Sequence, residues 1–99
     1  MKYRIAYSPE VENHLRVLSR AQQVIVIDSV DKHLSHQPSV ETRRRKPMRP
    51  NPVAPWELRI GNLRVYYDVQ EEPERIVYIL AVGIKTRNEV RIGKEVVRL

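Results

Sequence analysis

A chain of 99 residues makes one small domain with a single core, and its lack of cysteine excludes disulfides and thiolate metal sites. With 18 Lys and Arg against 12 Asp and Glu the net charge is +6, which expects a polyanion or an acidic protein partner, or else charge that serves solubility alone. The longest apolar run, Ile76 to Ile84, is far short of the roughly 20 residues that span a bilayer, and no signal-peptide core follows Met1, so a soluble cytoplasmic protein with no membrane partner is expected.

Lys2 to Tyr7 puts Tyr3, Ile5 and Tyr7 on one face and reads as a first strand. Ser8-Pro9-Glu10 is a helix start: a capping serine, proline at the first helical position and acid in the first turn. Val11, Leu15 and Leu18 then recur at helical spacing to about Arg20. Ala21 to Leu34 is ambiguous, because Val24-Ile25-Val26-Ile27 has strand propensity while Ala21, Val24, Ile27, Val30 and Leu34 repeat at three and four. Its length and polar flanks favour a second helix, which completes a helical hairpin. Gln37 to Pro55 carries Pro38, Pro47, Pro50, Pro52 and Pro55 around the basic run Arg43-Arg44-Arg45-Lys46. That proline density predicts a basic loop without regular elements, either gripping nucleic-acid backbone or simply solvated.

Trp56 to Lys85 organises the rest. Trp56–Ile60 alternates apolar and polar, Gly61-Asn62 offers a turn, and Leu63–Gln70 alternates again. A two-residue turn pairs Ile60 with Leu63, Leu58 with Val65 and Arg59 with Arg64. Trp56, Leu58, Ile60, Leu63, Val65, Tyr67 and Val69 then share the core face; Glu57, Arg59, Arg64, Tyr66 and Asp68 share the other. Glu71-Glu72-Pro73-Glu74 interrupts, and Ile76–Val82 forms a third strand closing at Gly83. After it comes a basic segment with a turn near Gly93 and an ending that fits a short strand or a helix equally. With no repeat and no second domain, residues 1–99 form one α+β domain: an N-terminal strand and a two-helix hairpin packed on one face of a small antiparallel sheet.

The opposed arginines carry the chemistry. Two guanidinium groups directly across a strand pair repel. They are tolerable if water screens them, if Glu57 bridges them, or if an anion sits there. His14, His33 and His36 read as surface residues; His33 and His36 could join a metal site only with a further ligand such as Asp28, so no metal or cofactor is expected. No Gly-rich phosphate loop or nucleophile elbow is present. What remains is the outward face, with Glu57, Arg59, Arg64 and Tyr66 joined by Lys85, Arg87 and Arg91 if the last strand returns beside the hairpin. That inventory suits phosphodiester chemistry on RNA. Arginines stabilise the charge that builds on phosphorus, Glu57 takes the ribose 2′-OH proton, and a Lys or Tyr protonates the leaving oxygen. An exposed salt-bridged ladder is the bland alternative.

Strand, two helices, basic loop, then "LRIGNLRVYYDV" over Leu58–Val69 and "ILAVGIKTR" over Ile79–Arg87 resemble, over nearly the whole chain, the RelE/ParE superfamily of type II toxin–antitoxin toxins. The resemblance implies a microbial ribonuclease-like fold. In its RelE-like branch it implies a ribosome-dependent endoribonuclease, an mRNA interferase that inhibits translation by metal-independent cleavage of mRNA to a 2′,3′-cyclic phosphate. By position, Arg64 matches the arginine that contacts the scissile phosphate, Arg59 a basic residue of the preceding strand, and Lys85 and Arg87 the basic pair after the glycine. Glu57 falls where some members carry a proposed glutamate base. Arg91 stands where well-known members carry a tyrosine or histidine acid, so it is expected as an RNA contact, with Arg43, Arg44, Arg45 and Lys46. The resemblance also implies a cognate antitoxin, with a heterotetramer as a candidate assembly. The alternatives are a ParE-like DNA gyrase inhibitor and a catalytically degenerate RNA-binding relative.

Overall fold

The computed structural model describes residues 2–99. Its elements are β1 (Arg4–Tyr7), α1 (Pro9–Arg16), α2 (Arg20–Leu34), β2 (Arg45–Pro47), β3 (Trp56–Ile60), β4 (Leu63–Gln70), β5 (Ile76–Thr86), β6 (Glu89–Ile92) and β7 (Glu95–Val97). One sheet runs β2-β3-β4-β5-β6-β7, antiparallel throughout, while β1 lies parallel to the first half of β5. The α+β expectation holds, with a larger sheet than the three-strand meander.

Local chemistry sets the helices. Pro9 stands at the start of α1 with Glu10 and Glu12 in its first turn, where acid suits the helix dipole. Ser19 opens α2 with a capping box: its Oγ accepts from Gln22 N at 3.1 Å, and Gln22 Oε1 accepts from Ser19 N at 2.9 Å. The ambiguous segment is therefore helical, but its buried stripe is Val26, Val30 and Leu34. Val24, Ile25 and Ile27, two of which belonged to the expected stripe, face outward.

The hairpin register is as expected, with Arg59 opposite Arg64 and Leu58 opposite Val65. All seven expected core-face residues of β3 and β4 join α1 and α2 in the main core. Trp56 stacks on Tyr67 at 6.1 Å between ring centroids, and the Tyr67 hydroxyl donates to Pro38 O at 2.7 Å. This bond anchors the start of the proline-rich segment under α2's end.

Three expectations need correction. The 37–55 segment is not free of regular structure, because Arg45–Pro47 pairs with β3 as β2. An edge strand tolerates proline, since its outer side needs no N–H donor. The sheet face away from the helices is not fully open either. Ala54, Tyr66, Ala81, Val90 and Ile92 form a second core there, covered by Met48 and Val53. Lastly, Gly83 does not close β5, which runs on to Thr86. A Cβ at Gly83 would lie 2.6 Å from Arg91 O and 2.8 Å from Val90 Cγ1, so glycine there admits β6 against β5. The undecided C-terminal stretch forms the hairpin β6–β7, turning at Gly93 with φ +62°.

Between the end of β1 and the start of β6, β5 has no strand neighbour on that side. His14 fills the gap: its Nδ1 accepts from Val82 N at 3.3 Å. It is a half-buried structural residue rather than the surface histidine expected from the sequence. No described helix is long and apolar enough to cross a membrane.

Candidate functional site

Strand parity decides which cations can meet. In an antiparallel pair, directly opposed residues share a face. Lys46 opposes Glu57, Tyr66 opposes Ala81, and Lys85 opposes Val90. Lys46, Glu57, Arg59, Arg64 and Lys85 therefore all belong to the face away from the helices. Glu57, Arg59, Lys46 and Lys85 line a cleft of about 500 Å³ there, with Arg49, Asn88, Val90 and Leu99.

Glu57 sits at the centre. It is buried, with 6% exposure, and Arg59 Nε donates to its Oε1 at 2.7 Å. Arg64 Nε lies 3.9 Å from its Oε2. Of the three possibilities for the opposed arginines, the carboxylate bridge is realised. The two arginines differ in access, with side-chain exposures of 45% for Arg59 and 12% for Arg64. Arg64 Nη1 donates back to Gly61 O at 2.7 Å and to Leu63 O at 2.9 Å, so its guanidinium is committed to the hairpin turn and lies off the cleft wall.

Tyr66 is sealed under the second core. Burial, and then the neighbouring Glu57 carboxylate, push its hydroxyl well above the ordinary tyrosine range. Its Oη and Arg64 Nε are buried without a hydrogen-bond partner among the described residues. Tyr66 thus has neither the access nor the acidity of a proton donor.

The other expected contacts disperse. Arg91 opposes Ile84, which packs on the helix-side core, so Arg91 lies on the opposite face of the sheet from Lys85. It lines a separate groove with His14, Val17 and Ile84. Arg45 shares the helix side with its partner Leu58. There its Nε donates to Val40 O and its Nη1 to His33 O, both at 2.8 Å, so it ties the loop to the end of α2. Arg44 is exposed near His33, whose pKa is lowered by burial first and by Arg44 next. Arg43 is exposed, and Arg87 occupies the β5–β6 turn with φ 51° beside Thr86, Glu89 and Arg98. Of the basic run, only Lys46 reaches the cleft. Arg49 was not singled out in the sequence; the signal was a cation next to the turn dipeptide Pro50-Asn51. Among the described residues no three His, Asp or Glu side chains gather as a metal site.

No protein-family model matches the sequence, and no curated relative matches it. Among solved structures, a chain of the toxin–antitoxin complex RelBE2 from Mycobacterium tuberculosis superposes with a TM-score of 0.73 at 22% identity, over 88% of this chain and 95% of that one. The fold is that of a RelE-like toxin. In this chain the basic cleft lies on the sheet face opposite α1 and α2.

Proposed function

We infer that this protein is the toxin of a toxin–antitoxin pair and acts as a ribosome-dependent endoribonuclease on mRNA. One observation carries the reading: a carboxylate and several cations converge on one accessible cleft of a RelE-like fold. In the proposed step the ribose 2′-oxygen attacks the adjacent phosphorus and its proton passes to Glu57. The bond from phosphorus to the 5′-oxygen breaks, leaving a 2′,3′-cyclic phosphate, and the departing oxygen takes a proton from a cleft lysine, Lys85 or Lys46. Arg59, the more exposed guanidinium, meets the charge that builds on phosphorus, and Arg64 holds Glu57 from behind. An ammonium group is a weak acid at neutral pH, so electrostatic stabilisation supplies most of the rate. Antitoxin binding fits the net charge of +6 through complementarity with an acidic chain.

The test is inducible expression with mapping of mRNA 5′ ends. Cuts inside translated codons, abolished by Arg59→Ala and Lys85→Ala, are expected. Growth arrest with intact mRNA would sink the nuclease.

A second reading has its own support. Glu57 is engaged by Arg59, Arg64 is turned to the hairpin, and Arg91 lies on the far face, so no acid–base pair stands ready. A gyrase inhibitor or a non-cleaving RNA binder tolerates that arrangement. Trapped gyrase–DNA breaks on expression would favour the first of these.

A further inference from the structure

The cleft has two walls. One is the sheet, presenting Lys46 on β2 beside Glu57 and Arg59 on β3, with Lys85 on β5; the other is the 48–55 loop, which presents Arg49. Among the described residues neither Arg49 nor Lys85 has an ion pair, while Arg59 and Lys46 are paired with Glu57 and Glu41. Cations gathered in one cleft repel unless an anion lies among them.

The loop that holds Arg49 is short of backbone donors, because Pro50, Pro52 and Pro55 have no N–H. The side chain of Asn51 makes up the deficit. Its Nδ2 donates to Arg49 O at 2.7 Å and to Ala54 O at 2.9 Å, and its Oδ1 accepts from Val53 N at 2.8 Å and Ala54 N at 3.0 Å. Met48 N donates to Pro55 O at 2.8 Å and closes the loop, while buried Ala54 seats it on Tyr66 and Ala81. The segment is therefore a fixed wall, with the carbonyl of Arg49 tied directly to the knot.

We propose that Arg49 is a phosphate-binding residue, that Asn51 is its positioning residue, and that the cleft between loop and sheet takes the backbone of single-stranded RNA. The substrate class rests on the nuclease reading above; the clamp itself needs only an extended polyanion. The strand passes between Arg49 on the loop and Lys46, Arg59 and Lys85 on the sheet, over Glu57. Single strands are gripped in this way with little sequence preference.

Binding of a fluorescent single-stranded RNA oligonucleotide is measured by anisotropy over a range of salt. Each phosphate contact contributes about 0.7 to the slope of log affinity against log salt for a single strand. Arg49→Ala is expected to lower the slope by about that amount. Asn51→Ala should lower it likewise, and the double variant should lose no more than either. Arg20→Ala, which removes a charge at the start of α2, should leave the slope unchanged. An unchanged slope in Arg49→Ala overturns the proposal, and so does a wild-type protein that binds poly-glutamate but not RNA. Additive losses in the double variant overturn the role of Asn51. If the slopes move as expected while no mRNA is cut in cells, the clamp stands and the nuclease reading falls.

Discussion

Arg59 and Arg64 face each other across the β3–β4 ladder, and the carboxylate of Glu57 lies 2.7 Å from one and 3.9 Å from the other. An opposed pair of guanidinium groups is thereby converted into a cation–anion–cation row on a half-covered sheet face. Because Glu57 is buried, the row is sensitive to loss of its centre. Glu57→Gln keeps the shape but leaves two cations uncompensated, and we expect it to cost about 1–3 kcal/mol in urea unfolding. Sulfate should restore more of that loss than chloride at matched ionic strength, measured as the gain over wild type, because an anion can take the vacated place. Equal recovery in both salts would argue against an anion cradle.

Neighbours in the basic run separate stability from binding. Arg45 donates to Val40 O and His33 O on the helix side, whereas Lys46 projects into the cleft. Arg45→Ala should lower stability by roughly 1–3 kcal/mol through its two lost charge-assisted bonds and leave the salt slope of RNA binding alone. Lys46→Ala should do the reverse, changing the unfolding midpoint little and lowering the slope by about 0.7. Swapped phenotypes would mean that the parity of β2 is wrong.

That contrast shows what the sequence made legible. Period-two alternation from Trp56 to Gln70 fixed the faces of β3 and β4, because a one-residue slip would expose Leu58 and Val65. It also placed Glu57, Arg59 and Arg64 together. Parity could not be carried across the proline-rich segment or past Gly83, where no turn of known length set the register. Arg45 and Arg91 were therefore grouped with cations that lie on the other face. The cover over Tyr66 was missed for a related reason: the Asn51 knot is built from side-chain bonds at spacings of two and three, which leave no hydrophobic period.

Gly83 tests the close approach of β6. Its missing Cβ leaves room for Arg91 O, a backbone atom that cannot rotate away. Gly83→Ala should cost about 1–3 kcal/mol by forcing the strands apart. Hydrogen exchange should rise first in β6 and β7, with β3 and β4 staying protected. A stable Gly83→Ala with unchanged exchange would place β6 farther from β5.

His14 links the fold to pH. Its Nδ1 accepts the Val82 N–H, so the folded protein holds the neutral ring with the proton on Nε2. Burial lowers its pKa, outweighing the pull of Glu10 and Glu95 in the other direction, and His33 is lowered too by burial and nearby cations. A histidine whose folded pKa lies below its unfolded value takes up its proton more readily when unfolded, so acid favours unfolding. The contribution is fully present above the unfolded value of about 6.5 and is lost progressively as the pH falls through it toward the folded pKa. Urea midpoints should therefore drop between neutral and mildly acidic pH. His14→Gln should weaken that dependence, and combining it with His33→Gln should flatten it further. Because Val82 lies between the end of β1 and the start of β6, the acid-induced loss should appear first as exchange at Val82 N–H. If that amide stays protected at mildly acidic pH while the midpoint falls, the titrating group lies elsewhere and His14 is not the plug of the sheet gap.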